Sequence, residues 1–199
     1  MRRVFLLLAV ALLAVACATA QGTSGSVSGS GGAAGGGDQP NILILGEDAD
    51  PDSVPWSNRV FKRVRDALAN ELNDRGFNVY DETAVTAGFG QGRNRRSSAE
   101  IIDIARSVKR PPIDVAVIFA IHASAERLRH TTKIRTRITG RLLNVKSGGR
   151  LGNFEVELPR SDNAPAECNR ACVLEAVGRN ARVMGMDLGA VLAAKLDGI

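Results

Sequence analysis

The chain has 199 residues, 44% of them hydrophobic and 24% charged, with a formal net charge of +5. That length suits one domain, and the apolar fraction excludes wholesale disorder. Aromatic residues make up only 4%, which argues against base stacking, so no nucleic-acid partner is expected. Three cysteines and two histidines exclude a disulfide-dense scaffold and a four-cysteine zinc site, and no cofactor is expected.

The amino end carries an address. Arg2 and Arg3 precede the unbroken apolar run Val4 to Val15, the layout of an export signal too short to span a bilayer as a mature helix. Leu13-Ala14-Val15-Ala16-Cys17 resembles a bacterial lipobox, in which the cysteine is lipidated and becomes the mature terminus. Residues 1–16 are therefore read as signal peptide, and Cys17 as the lipidation site. Cleavage after Ala18-Thr19-Ala20 is the competing reading, and it would leave a soluble periplasmic protein. Residues 17–38 form a tether: of the sixteen positions from Gly22 to Gly37, eight are glycine and four serine. The 21 residues from Cys17 to Gly37 have an expected reach of roughly 25 Å r.m.s. and about 70 Å when stretched.

Residues 39–199 are expected to form a single α/β domain. Asn41 to Leu45, ended by Gly46, fits a buried strand. After the acidic loop Glu47 to Asp52, Ser57 offers a cap for a helix with Val60, Phe61, Val64, Ala67, Leu68 and Leu72 on one face, stopped at Gly76. Phe77 to Tyr80 reads as a second strand. Ser97 and Glu100 have capping-box spacing ahead of a helix through Ile101, Ile102, Ala105 and Val108. Val115 to Ile121 is apolar at every position, so that strand should be covered on both faces.

The pattern then turns to period two: Ile134, Thr136, Ile138, Gly140 and Leu142 alternate with Lys133, Arg135, Arg137, Thr139 and Arg141. With Ser147-Gly148-Gly149 as a three-residue hairpin loop, Leu142 would pair with Phe154, Ile138 with Leu158 and Arg141 with Glu155. Glu167 to Leu196 reads as helix, interrupted near Gly185. The expected fold is α/β: a single mixed sheet with helices packed against it, a β-hairpin extension and a C-terminal helix.

Gly140-Arg-Leu-Leu-Asn-Val-Lys-Ser-Gly-Gly-Arg-Leu-Gly-Asn-Phe-Glu-Val-Glu157 resembles the hairpin of a superfamily of bacterial envelope lipoproteins. Its members include the curli secretion protein CsgG, the flagellar assembly protein FlgT and the LpoB-type activators of penicillin-binding proteins. The order of strands and helices over residues 40–197, closing on Asp187-Leu-Gly-Ala-Val-Leu-Ala-Ala-Lys-Leu196, fits the same group. The resemblance implies a non-enzymatic protein, and Ala18 after the cysteine, with no acidic residue there, favours the periplasmic side of the outer membrane by analogy with other lipoproteins. Such a protein would bind and support an envelope protein assembly. The layout of lipobox, linker and one compact domain looks most like the LpoB type. The extra amphipathic strands of a curli-type pore are not evident.

Several residues invite chemical readings. Gly88-Phe-Gly-Gln-Gly-Arg-Asn-Arg-Arg96 precedes a helix, yet lacks the Lys-Ser/Thr pair of a phosphate loop. A soluble periplasmic enzyme or ligand-binding protein with its site there is the alternative function, and a flagellar or secretion assembly subunit is a third. His122, His130, Glu126 and Ser124 gather near one strand end without metal-ligand spacing or a hydrolase elbow, so neither metal nor catalysis is expected. Cys168 and Cys172 remain once Cys17 is acylated, and they should pair in an oxidising compartment. Charge is unevenly placed: residues 38–92 hold 5 basic and 10 acidic groups, net −5, whereas residues 93–141 hold 12 and 4, net +8. Arg93, Arg95, Arg96, Arg135, Arg137 and Arg141 are the candidate surface for an acidic envelope partner, or else a solvated sheet face. Partner identity and oligomeric state stay open.

Overall fold

The computed structural model describes residues 39–82, 96–157 and 162–198. The leader, Cys17, the tether, Arg93, Arg95, most of the Gly88–Arg96 segment and Leu158 lie outside the described residues. Among the described residues no helix is long and apolar enough to cross a membrane.

β1 (Asn41–Gly46) buries Ile42 to Leu45 completely or nearly so. α1 (Arg59–Asp74) starts one residue later than expected, because the Asn58 side chain, rather than Ser57, accepts the Val60 amide at 2.8 Å. Its expected stop is present: Gly76 takes φ 94°, a left-handed geometry that suits a residue without Cβ. β2 (Asn78–Asp81) follows. α2 (Ser98–Ser107) opens with the full capping box between Ser97 and Glu100. The chain continues through β3 (Val115–Arg127), β4 (Thr131–Asn144), β5 (Arg150–Glu157), β6 (Asp162–Pro165), α3 (Arg170–Arg179) and α4 (Ala181–Leu196).

These strands form one mixed sheet in the order β2-β1-β3-β4-β5, with β6 beside β4. β1 lies parallel to both β2 and β3, and everything beyond β3 is antiparallel. The chain steps outward from β1 to β2 through α1 and back past β1 to β3 through α2. Crossovers of one hand in opposite directions put the two helices on opposite faces. Two apolar layers result. On one face Ile42, Ile44, Val117, Phe119 and Ile121 pack against α1, α3 and α4; on the other Leu43, Leu45, Ala116 and Ile118 pack against Ile101, Ile102 and Ala105 of α2. The apolar first half of β3 is thus covered on both faces, as its continuous apolar run requires.

Two expectations need correction. In the β4–β5 hairpin Phe154 pairs with Gly140, Arg141 with Asn153 and Thr139 with Glu155. The expected partners Leu142 and Glu155 are each displaced by two positions. The connection is longer than Ser147–Gly149: the Gly148 amide reaches the Asn144 carbonyl at 2.9 Å, and the Ser147 amide the Asn144 side chain at 2.8 Å. Val145 is buried and donates to Asp114, so it cannot sit in a tight turn. Gly140 leaves room for the Phe154 ring, which a Cβ there would strike. A slip of two preserves faces, so Phe154 still shares the core side with Ile138 and Leu142.

The C-terminal helix breaks at Asn180, not near Gly185. Asn180 donates from its side chain to Asp162 at 2.8 Å at the corner between α3 and α4. Gly185 instead lies inside α4 where α1 approaches; a Cβ there would sit 2.5 Å from the Val64 carbonyl oxygen.

Candidate functional site

Side chains alternate across β3 and β4, and the helices cover the two faces unequally. Beneath α1, α3 and α4 the buried positions run far along the strands, through Ile121 and Ala123 on β3 and Thr132, Ile134, Thr136 and Ile138 on β4. On the opposite face α2 shields only Ala116, Ile118, Leu143 and their neighbours. Past α2 that face presents Ser124, Glu126, Arg135 and Arg137 as exposed side chains. The strands end in a hairpin whose tip exposes Arg127, Leu128 and Arg129, with Leu128 45% exposed.

The candidate arginines divide sharply here. Arg135 lies across from Ser124, and its guanidinium is 3.2 Å from Glu126; the side chains are 64% and 57% exposed. Arg137 lies 3.7 Å from Glu155, again with both side chains half exposed. Arg141 does not belong to that open surface. It is held bidentately by Glu47 at 2.6 and 2.8 Å, with only 14% and 13% of the two side chains exposed. The Thr139–Glu155 register places Glu155 nearer Arg137, while Glu47, just beyond β1, reaches Arg141 across β3. Arg96 sits at the foot of α2, 3.4 Å from Glu82, and its carbonyl accepts a hydrogen bond from Arg141.

Between the Arg141 pair and α2 lies a cavity of about 740 Å³ lined by Glu47, Ser97, Thr139, Arg141, Asn153 and Glu155, among others. It lies over β3, β4 and β5 beside the start of α2, with Glu47, just past β1, at its edge. The start of α2 does not offer a free anion site. The Glu100 carboxylate already sits there, 2.7 Å from the Ser97 amide, and those hydrogen bonds from Ser97 lower its pKa.

His122 is held by two side-chain hydrogen bonds. It is buried, with Nδ1 3.1 Å from Asp52 and Nε2 3.0 Å from the Thr139 hydroxyl. An ionised carboxylate only accepts, so Nδ1 carries a proton; in the neutral ring Nε2 then accepts from Thr139. The hydrogen bond from His122 holds the Asp52 carboxyl below its ordinary value against the opposing pull of desolvation. The loop around Asp52 is further fixed by Arg170 of α3, which donates to the Ser53 carbonyl at 2.6 Å and to Ala123 at 3.2 Å. The sequence offered little sign of either network, since Asp52 and His122 are 70 positions apart and Glu47 and Arg141 are 94 apart. Only the strand parity that sets Arg141 on the same face as Thr139 hinted at them. Among the described residues no three His, Cys, Asp or Glu side chains gather as a metal site would need.

Cys168 and Cys172 are joined as a disulfide, with Cα atoms 5.4 Å apart. Cys168 precedes the cap Asn169, whose side chain accepts the Cys172 amide at 3.1 Å. One cysteine is thus outside the helix and the other in its first turn, so the bridge staples the start of α3 without bending a regular helix.

No protein-family model matches the chain, and no curated protein matches it. Solved structures do resemble it. The lipoprotein GNA1162 from Neisseria meningitidis is 15% identical over 78% of this chain and 96% of that one, with a TM-score of 0.48. Protein XCC0632 from Xanthomonas campestris, of the family DUF330, is 9% identical over 79% and 86%, with a TM-score of 0.44. The hypothetical protein CT253 from Chlamydia trachomatis is 11% identical over 81% and 97%, with a TM-score of 0.42. All three are similar bacterial proteins.

Proposed function

We propose that this chain is an envelope lipoprotein, held by lipid on Cys17 at the periplasmic side of the outer membrane. It acts without catalysis, by binding and supporting an envelope protein assembly, as likeness to the CsgG, FlgT and LpoB group implies. The observation that carries the reading is the face of β3 and β4 that, among the described residues, no helix covers. Its reverse is sealed by three helices, while Arg135 and Arg137 stand half exposed or more on ion pairs that water already weakens. Such pairs contribute only about 0–1 kcal/mol, so the arginines can exchange their carboxylates for those of a partner.

The test is capture from crosslinked envelopes with the full chain. Arg135→Glu with Arg137→Glu should weaken recovery of the partner, and rising salt should weaken wild-type capture. Full recovery by the double variant at low salt would reduce the face to a solvated surface. Cys17→Ala should shift the protein from the membrane to the soluble periplasmic fraction; a mature chain beginning at Gln21 would defeat the anchor. A flagellar or secretion subunit would differ in what is captured. The 740 Å³ cavity favours, as a second reading, a small polar ligand beside Arg96 and Thr139.

A further inference from the structure

The end of the domain at which β1 begins carries a separate surface. The described chain enters β1 at Asn41, whose amide donates to the Asp114 carboxylate at 2.9 Å and whose side chain donates to the Pro112 carbonyl at 2.8 Å. The Val145 amide donates to the Asp114 carbonyl at 2.9 Å, which fastens the β4–β5 turn to the same place. From the last turn of α2, Arg106 donates to the Val145 carbonyl at 2.9 Å and the Lys146 carbonyl at 3.0 Å. Lys109 in turn donates to the Arg106 carbonyl at 3.1 Å. These bonds gather the entry of the chain, the loop after α2 and the hairpin turn at one end of the sheet.

That end is strongly cationic. Residues 106–114 and 144–150 hold Arg106, Lys109, Arg110, Lys146 and Arg150 against one carboxylate, Asp114, so their balance is 5 − 1 = +4. All five cations are exposed. Among the described residues none of them has a carboxylate within salt-bridge distance, unlike Arg65, Arg75, Arg96, Arg135, Arg137 and Arg141. Arg106 and Lys109 hold backbone carbonyls instead, and Asp114 is engaged by Asn41.

We propose that this surface rests on anionic phospholipid headgroups of the membrane in which the lipid anchor sits. The inference builds on the reading of Cys17. Lipid is favoured over other polyanions because the attachment point of the tether lies within this same patch. Five cations near an anionic surface contribute about 1 kcal/mol each, enough for the free protein to bind such vesicles at low salt, and the linker adds an effective concentration near the millimolar range. The arrangement also sets orientation. β3 and β4 run away from this end for 13 and 14 residues, roughly 40 Å at strand rise, so the bare face and the hairpin tip point away from the bilayer.

The test uses the leaderless full chain with Cys17→Ala, so that no acyl group contributes. Flotation with phosphatidylglycerol/phosphatidylethanolamine vesicles should recover the protein at low salt, and pure phosphatidylcholine vesicles should not. Lys109→Glu with Arg110→Glu and Lys146→Glu should weaken binding at least about tenfold. Arg127→Glu with Arg129→Glu, at the opposite end, should leave it unchanged, with thermal melts confirming that both variants fold. Absence of binding to the anionic vesicles, or undiminished binding by the triple variant, overturns the proposal. Sedimentation with peptidoglycan sacculi but not with vesicles overturns it in favour of a wall polymer. A mature terminus at Gln21 removes the anchor alone, which separates that failure from a failure of the vesicle assay.

Discussion

Replacing Glu47 with Ala should destabilise the domain far more than any change to the exposed arginines. Glu47 supplies both acceptors for the Arg141 terminal nitrogens, at 2.6 and 2.8 Å, with the two side chains only 13% and 14% exposed. Without it the guanidinium keeps, among the described residues, one acceptor, the Arg96 carbonyl at 3.2 Å, and Arg141 Nε is already buried with no hydrogen-bond partner among them. Removing one member of a buried pair typically costs about 3–5 kcal/mol; the adjoining cavity admits water, which places this case near 2–3 kcal/mol. For a domain of this size each kcal/mol moves Tm by about 2–4 °C, so a drop of about 5–10 °C is expected. Thermal and urea unfolding followed by circular dichroism measures it. Arg135→Ala, which removes an exposed pair, should stay within about 1 kcal/mol. The decisive comparison is Glu47→Ala with Arg141→Met: once no charge is stranded, most of the loss should return. A Glu47→Ala melt within 2 °C of wild type, or strictly additive losses in the double variant, would refute the reasoning.

Gly185→Ala would gain about 1 kcal/mol of helix propensity, but its Cβ would fall 2.5 Å from the Val64 oxygen and 2.9 Å from the Leu68 nitrogen, both backbone of α1. Forcing α1 and α4 apart should leave a net loss of about 1–3 kcal/mol in urea unfolding; equal or greater stability than wild type would contradict the close approach. Asp52 has a folded pKa below its ordinary 3.8, chiefly through the His122 hydrogen bond. Its contribution is therefore present above the unfolded value and disappears as pH falls through the folded one. Because Asp52 is 42% exposed, Asp52→Asn should cost under about 1 kcal/mol at pH 7 and progressively less as the pH falls below the ordinary carboxylate value; a difference that stays constant as acid is added would be inconsistent with the linkage. Cys168→Ala with Cys172→Ala should lower stability by about 2 kcal/mol without abolishing the fold, given the short loop, and non-reducing peptide mapping of the wild type should recover the linked peptide.

Features that depend on neighbouring residues were legible along the chain. Period-two alternation from Lys133 to Leu142 assigned faces correctly, the Ser97–Glu100 spacing marked the start of α2, and Gly76 marked the end of α1. The pairing expected of Cys168 and Cys172 is likewise present, at the start of α3. Each of these features reports on hydrogen bonds or side-chain directions set within one turn or one strand. What lay beyond reach was every choice among equivalent partners. Slipping β5 by two keeps all its side chains on their faces, so only the fit of Phe154 over Gly140 and the burial of Val145 select the register. The same holds for Gly185: a glycine in a helix reads as a break until α1 is seen to need the space. Arg141 reads as one more cation of a basic stripe until β1 and β3 align and carry Glu47 to it. Tertiary structure decided which charges stand in water and which are buried, because the Coulomb and desolvation terms at a side chain depend on groups that packing, not sequence proximity, brings within a few ångströms.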